Sequence, residues 1–444
     1  DQQTERVYHT LMGTSLPTVP QADTAVMGGG ITEQLPLEGD KQYFGRFSER
    51  DLVDQIGRKW EEGDTRLRDY FAVSLECFDQ YRNKQDFSDK EDWQSRVTIP
   101  KAHAAVKQGV ANIRKLFIQA RNPVLVEDTS GANAMFAPYV QEGVRKVWET
   151  SGFLGATSEA LEAGLIMGLI AVRADWQYHD ILQATPILDP TTGMPTVTLK
   201  PVKEGYLNLR AVDPWRLRWG PETDSRTIDW IIEEQTVGVP TLRRLGFAVP
   251  ESILKEDTKA NEADTRDRRR KDENEVRGAF ERRCQLREYW GPLVDEKTQE
   301  IVVENAHVVI GNKKAVLLAE ENQLWRKKPP YVLASPNRLA FRFPGQGILE
   351  VNRAIKANID RIAQMATDHF AFSTLVMLEA DMSALENPED LATGVEPGKL
   401  FRKRPGAGGI QAIRQIPINP VQGDVFNMLI ALDKEFQRGT FITE

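Results

Sequence analysis

The chain has 444 residues, of which 41% are hydrophobic and 27% charged, and a formal net charge of −8. That length supports two or three subdomains around a sizeable core, and the negative charge argues against a general, high-affinity nucleic-acid binder, which is normally basic. The two cysteines, Cys77 and Cys284, stand far apart, so a disulfide framework or a cysteine zinc site has no basis and a reducing cytoplasm suits the chain.

No signal peptide opens the sequence, and its longest apolar run, residues 163–172, falls far short of a membrane span. Asp1 does not read as a natural start, so the numbering is expected to begin inside a longer chain. Glu444 ends abruptly after a strong helical pattern.

Residues 1–42 are rich in Gly, Pro, Thr and Gln, with Gly28, Gly29 and Gly30 at their centre. Lacking apolar periodicity, they read as an extended arm, loose or laid over a neighbour. Residues 48–81 read as helix. Ser48 caps it, Asp51 follows three residues on, and Leu52, Ile56, Trp60, Leu67, Phe71, Leu75 and Phe78 keep helical spacing, with a break expected at Gly63. An extended link at 93–100 leads into a helix over 101–117. Its Val106, Val110, Ile113 and Phe117 share a face, and Asn122-Pro123 stops it. Helices are expected over 134–151 and 158–169, the second running into a strand at 170–176.

From 176 to 236 the pattern turns to strands. Asp189-Pro190-Thr191-Thr192-Gly193 marks a hairpin turn, and 207–212 and 215–219 alternate on either side of Asp213-Pro214. A strand at 230–234 precedes a short helix at 240–247. The mixed-charge stretch 255–283 is either a solvated loop or an exposed helix held by i,i+4 charge pairs. Strands return at 286–290, 293–294, 301–303, 308–310 and 315–318, with Gly311-Asn312 as a hairpin turn, and the section ends at 327–332.

The longest element follows at 343–374. Pro344, Gly345 and Gly347 open it, and no Gly or Pro interrupts the turns that follow. Ile348, Val351, Ile355, Ile359, Ile362, Ala366 and Phe370 form one apolar stripe, with Arg353, Lys356, Asp360, Arg361 and Gln364 on other faces. At ~1.5 Å per residue the helix spans about 35–40 Å. It is too long for a routine core helix and too polar for a membrane, so its stripe is expected to meet copies of itself or another long helix. A strand exit at 375–377, a Gly/Pro-rich stretch at 389–416 and a helix over 421–436 complete the chain. That last helix carries Val425, Leu429, Leu432 and Phe436 on one face.

A search for chemistry comes back nearly empty. Neither Gly28-Gly29-Gly30 nor Gly406-Ala407-Gly408-Gly409 is followed by the Lys-Ser/Thr of a phosphate loop. His9, His103, His179, His307 and His369 form no HxxxH or HExxH pattern, and a lone histidine is ordinarily a surface or satisfied core residue. No GxSxG elbow is present, and no carboxylate pair stands apart in apolar surroundings to hold two metals. Three basic spots remain: Arg326-Lys327-Lys328, Arg402-Lys403-Arg404, and Arg353, Lys356 and Arg361 on the long helix. Each is ordinarily a solvated face. Without interleaved aromatics, any nucleic-acid contact would be to phosphates.

Taken in order, five segments resemble the podovirus-like type of tailed-phage portal, or head-to-tail connector, protein. They are Trp93-Gln94-Ser95-Arg96-Val97-Thr98-Ile99-Pro100 with the helix ending in Leu116-Phe117, the stretch 160–176 through Gly168 to Trp176, Val212-Asp213-Pro214-Trp215-Arg216-Leu217-Arg218-Trp219, Arg287-Glu288-Tyr289-Trp290, and Phe343-Pro344-Gly345-Gln346-Gly347-Ile348-Leu349-Glu350. Their order over 45–440 carries the resemblance more than any one motif.

The resemblance implies an α+β, portal-type fold with an α/β wing, a long-helix stem and a small β-containing clip, assembled as a ring. Onto this chain it lays an arm at 1–44, a wing at 45–250, a charged segment and first stem helix at 251–284, and a clip at 285–336. A stem helix at 337–374, a wing return at 375–420 and an inner helix at 421–444 follow, with a crown or barrel beyond. It implies a homo-oligomer, usually a dodecamer, at one capsid vertex of the virion, built in the host cytoplasm. Double-stranded DNA would pass without sequence readout. The terminase large subunit, a tail adaptor and the major capsid protein would be partners, and no enzymatic activity, cofactor, metal or membrane is implied.

Ile348, Val351, Ile355, Ile359, Ile362 and Phe370 would form the subunit seam. Arg353, Lys356, Arg361, Arg402, Lys403 and Arg404 would face DNA, and Arg326, Lys327 and Lys328 the adaptor. A net-acidic conduit suits sliding, because each neutralised phosphate adds counterion-release affinity, and a closed heterologous ring gives the stripe its partner. The alternatives are another phage ring component, such as a tail adaptor or connector, or a DNA-processing enzyme with a site assembled from scattered residues.

Overall fold

The computed structural model describes residues 42–119, 125–127, 131, 135–188, 195–251, 253, 282–324, 327–374, 378–387, 389, 400–405, 411, 413–417 and 423–440. The chain divides by its own contacts into residues 1–49 and 50–444. In the first unit, β1 (Gln42–Tyr43) and β2 (Phe47–Ser48) pair through a turn with Phe44 and Gly45 at positive φ. The arm expected at 1–41 lies outside the described residues.

In the large unit, helices α1 (Glu49–Arg66) and α2 (Arg68–Tyr81) replace the single helix expected over 48–81. The break falls at buried Leu67, not at Gly63. Gly63 stays helical under pressure from the sheet beside it: a Cβ there would sit 3.1 Å from Arg218 Cβ and 3.3 Å from the Trp230 ring. Then come α3 (Lys101–Gln119), α4 (Ala137–Thr150) and α5 (Phe153–Met167). Two left-handed glycines, Gly152 at φ +73° and Gly168 at φ +80°, bracket α5 and start it ahead of the expected 158. Leu161, Leu165, Ile166 and Met167 of α5 pack with Cys77, Tyr81, Val106 and Val110 into one core.

The strand expected at 170–176 is part of a much longer β3 (Ile170–Leu188). It pairs antiparallel with all 17 residues of β4 (Pro195–Ala211). The turn expected at 189–193 lies outside the described residues. Alternation at 215–219 predicts a strand, yet Pro214–Arg216 is a 3-10 turn, because Asp213 accepts a bond from the Trp215 amide at 3.1 Å and proline favours the first helical position.

Strand β5 (Leu217–Trp219) then begins a five-stranded antiparallel sheet with β6 (Ile231–Gly238), β7 (Arg283–Val294), β8 (Ile301–Gly311) and β9 (Ala315–Glu321) in chain order. The short helix α6 (Val239–Arg244) follows β6. The runs at 301–303 and 308–310 are one strand. Asn312 and Lys313, both at positive φ, make the expected β8–β9 hairpin turn. This sheet unites strands from segments assigned above to wing (β5, β6) and clip (β7 to β9). Residues 251–284, assigned to a charged segment and first stem helix, lie outside the described residues except at 251, 253 and 282–284.

Helix α1 crosses the five-stranded sheet through a buried cation. Arg218, fully buried, donates to Asp64 Oδ1 at 2.6 and 3.0 Å, and its guanidinium lies 4.7 Å from the centre of the Trp60 ring. Strand β10 (Tyr331–Ala334) pairs with β3 at Ile170–Arg173 only. The hairpin of β11 (Asn337–Leu339) and β12 (Arg342–Gln346) delivers the chain to α7 (Ile348–Thr374). The strand exit expected at 375–377 lies outside the described residues. β13 (Leu378–Ala380) follows, paired with β14 (Ile413–Gln415), before α8 (Gly423–Gly439).

Candidate assembly and DNA-facing surfaces

The start of α7 is held backbone to backbone, which explains its glycines. A Cβ at Gly347 would run into the Ile166 carbonyl oxygen, and one at Gly345 into that of Asn337. Across the junction a Cβ at Gly168 would strike the Gly345 carbonyl. The long helix therefore begins wedged between the end of α5 and β11.

One side of α7 is buried within the chain, and it is mostly polar. Asn352, Lys356, Asp360 and Gln364, four residues apart, are buried together with Ile348, Leu349 and Ile359. Such a polar row is tolerable only if its atoms are bonded: Asn352 donates to the Ile348 carbonyl at 3.0 Å, Lys356 pairs with Asp360, and the extended link at 93–100 supplies further partners. Asp368 Oδ1 accepts from the Ser95 amide at 2.5 Å, Gln364 Nε2 donates to the Val97 carbonyl at 2.9 Å, and Asp360 Oδ1 accepts from the Ile99 amide at 3.0 Å. Four helical residues advance about 6 Å and two extended residues about 6.6 Å, so the two periods nearly match. Gln364 also accepts from Lys90 at 2.7 Å, and Trp93 meets the Phe372 ring edge-on at 5.0 Å.

Three residues change their assigned role here. Lys356, named as DNA-facing, is 2% exposed and forms an ion pair with Asp360. It faces the chain's interior, because burying Asp360 demands a cation beside it. Ile359, named as a seam residue, is 2% exposed and packs on Ala105 and Phe436. It belongs to the α3–α7–α8 core, where Lys101 also pairs with Asp433 at 2.8 Å. Ile348 is likewise core, against α5.

Away from that buried side, α7 keeps an apolar row with one polar residue at its middle. Val351 (50% exposed) and Met365 (61%) lie at its ends, with half-buried Ile362 and, at the margin where it also packs on the Ala105–Ile359–Phe436 core, half-buried Ile355 between them, and exposed Asn358 sits at the centre. The spacing of four, three, four and three is that of a helix–helix seam, and a single asparagine within such a seam serves to fix register. Phe370 is 65% exposed near the helix end.

The other basic residues are scattered. Arg353 donates to Glu76 at 2.5 Å, and Arg361 is exposed. Arg402, Lys403 and Arg404 are all exposed, on a short stretch anchored by bonds from the Arg404 amide to Ala384 and the Glu386 amide to Arg402. The glycines at 406–409 lie outside the described residues, as does Arg326. Lys327 pairs with Glu321 at 2.7 Å, and Lys328 is exposed.

The pattern search missed a buried charge network between the two larger sheets. Arg173 on β3 donates to Glu288 Oε1 on β7 at 2.9 Å, to Glu233 Oε2 on β6 at 3.0 Å and to Asp175 at 2.6 Å. Arg210 and the Tyr331 hydroxyl reach the same Glu233 oxygen at 2.8 and 2.6 Å. His307, stacked on Trp290 at 3.8 Å, sits 2.9 Å from Glu288 and 3.2 Å from Glu320. The only sequence signal was a charge at an inward position of an otherwise apolar strand, since the partners lie far apart along the chain.

Burial alone would raise the Glu288 carboxyl, but its bond to His307 and the Arg173 charge outweigh that and hold it at about 2. A carboxyl depressed from its ordinary 4.5 stabilises the fold above that value and loses the contribution as pH falls toward about 2. Wild-type melting temperature is therefore expected to drop more steeply between those pH values than that of Glu288→Gln. Parallel curves would rule out this role for Glu288.

Among the described residues, no group of three or more His, Cys, Asp and Glu is placed to hold a metal, and no helix is long and apolar enough to cross a membrane. Comparison with curated proteins gives no match. The family model for the phage SU10 portal protein matches residues 177–443, from within β3 through α8. That match spans more than half of the sequence, and the chain belongs to the phage SU10 portal protein family.

Proposed function

We propose that copies of this chain close into a ring, a dodecamer, at one capsid vertex, where the ring is the conduit for double-stranded DNA in packaging and ejection. Portal proteins are structural components of the phage head. In this reading the terminase large subunit and a tail adaptor dock on the ring, the major capsid protein surrounds it, assembly takes place in the host cytoplasm, and the chain has no catalytic step of its own. The observation that carries the proposal, beside family membership, is α7: a helix of 27 residues with one side locked to its own chain and a largely apolar row left over away from it. Val351, Ile355, Asn358, Ile362 and Met365 are the proposed seam, and Phe370, exposed on another side of the helix end, is proposed as a separate subunit contact. Arg361, Arg402, Lys403 and Arg404 are the proposed DNA-facing cations, while Lys327 and Lys328 remain proposed for the adaptor.

Electron microscopy of the purified chain tests the ring, with about a dozen subunits around a central hole expected. A monomer under all conditions, or ATPase or nuclease activity intrinsic to the chain, would overturn the reading. Replacing Arg402, Lys403 and Arg404 together by Gln is expected to leave ring formation intact and to change the amount of DNA packaged or retained. Unchanged packaging would remove that stretch as a DNA contact.

A further inference from the structure

The hairpin that leads into α7 carries an aromatic ring at its tip. Leu339 of β11 pairs directly with Arg342 of β12, so Ala340 and Phe341 are the two turn residues between them. Phe341 has φ +57° and is 92% exposed, and it meets no other ring among the described residues. The second turn position at positive φ is the place of Gly or Asn, which adopt it with little strain. A phenyl ring this exposed packs on almost nothing in its own chain, so folding gives no reason for it. Backbone outliers of this kind collect where a segment meets a ligand or partner.

The charges around the tip point to an anionic partner. Arg342 is exposed, and its guanidinium makes no ion pair among the described residues. Arg338 is exposed and lies 3.6 Å from Asp224, on the loop between β5 and β6. Exposed Arg226 stands two residues further along that loop, where its amide donates to Asp224 at 3.1 Å. The loop's other carboxylates, Glu222 and Asp229, act on Lys59 instead. Cations therefore outnumber carboxylates at the tip of a chain that is acidic as a whole.

The two arginines of the hairpin point to opposite faces. Directly paired residues share a face and successive residues alternate, so Arg342 lies with Leu339 and Arg338 lies on the reverse. A partner must then offer anions on both sides of a projecting aromatic tip. A flat acidic protein surface offers them on one side. The major groove of duplex DNA has a phosphate wall on each side. At ~12 Å it admits a two-stranded β-ribbon, and its floor carries apolar edges such as the thymine methyl. The basic spots at 326–328 and 402–404 lack an interleaved aromatic, whereas Arg338-Leu339-Ala340-Phe341-Arg342 has one.

We infer that the tip of the β11–β12 hairpin is a contact for double-stranded DNA, with Phe341 on base edges in the major groove and Arg338 and Arg342 on the phosphates to either side. This rests on the conduit reading above, and it adds a site apart from the stretch 402–404. One ring and a few phosphate contacts make a weak, sequence-tolerant grip, which suits a cargo that must keep sliding.

The test is fluorescence anisotropy of a labelled duplex of mixed sequence with the full chain, read across a salt series. Arg338→Gln and Arg342→Gln are each expected to reduce the slope of log affinity against log salt by about 0.9, one phosphate contact apiece. Phe341→Gly is expected to leave that slope unchanged and to weaken binding about tenfold, as the loss of a largely buried ring should. It is also expected to melt at or above the wild-type temperature, since glycine takes positive φ freely. A lower melting temperature would show that Phe341 packs on its own chain and would overturn the proposal. So would a wild-type chain that does not bind the duplex, wild-type affinity and slope in all three variants, or tighter binding of a single strand than of the duplex. Ring assembly lost in Phe341→Gly with DNA affinity intact would overturn it too, and would make the tip a contact between subunits. Each of these results leaves rings seen by electron microscopy, and the ring reading with them, standing. A wild-type chain that forms no rings overturns the conduit reading, and the salt series still decides the hairpin contact.

Discussion

Arg173→Met is expected to lower the unfolding free energy of the purified chain by about 3–5 kcal/mol, the range for breaking a buried pair from one side. Arg173 is the cation shared by Glu233, Glu288 and Asp175 across the junction of the three-stranded and five-stranded sheets. Methionine fills similar volume but leaves Glu233, 2% exposed, with Arg210 and the Tyr331 hydroxyl as its remaining partners, and Glu288 with His307 alone. Arg173→Lys restores charge without the planar fork that reaches two carboxylates at once, so its loss should fall between wild type and Arg173→Met. Denaturant midpoints at constant slope measure both. A loss under about 1 kcal/mol for Arg173→Met would mean that packing, not the ion pairs, holds the sheets together.

The second large effect separates folding from assembly. Ile359→Asp places a carboxylate between Ala105 and Phe436 and beside Asp360, whose charge is already matched by Lys356. Burying that unpaired charge should cost about 4 kcal/mol and loosen α3, α7 and α8 within a single chain. Val351→Asp and Met365→Asp, on the exposed row of the same helix, should stay within about 0.5 kcal/mol of wild type in monomer stability. They should nevertheless impair ring formation. Thermal melting monitored by circular dichroism gives the first quantity and light scattering the second. If Ile359→Asp melts like wild type while Val351→Asp does not, the two sides of α7 have been assigned the wrong way round.

Much of the fold is legible in the sequence because it is local. The periodicity of α1, α3, α7 and α8, the Gly311-Asn312 turn and the glycines before α7 all announce themselves within a few residues. What was not legible depends on partners far along the chain. Helical spacing marks Ile359 and Val351 as members of one stripe, yet one is sealed by Phe436 and the other is half exposed, because α8 covers only part of the arc. Lys356 reads as a surface cation until Asp360 and the covering link bury it. A stripe records which residues avoid water, not which neighbour relieves them, and a polar row can belong to the core when another segment satisfies it.

The contact between the link at 93–100 and α7 also limits how the helix can move. Sliding α7 by one turn would set Gln364 against Ser95, Asp360 against the Val97 carbonyl and Lys356 against the Ile99 amide. A carboxylate would then meet an acceptor and an ammonium a donor, both repulsive. Three bonds whose chemistry alternates along the axis thus act as a key with one seating. Axial displacement of α7 must carry residues 95–99, and with them the head of α3, as a single rigid piece.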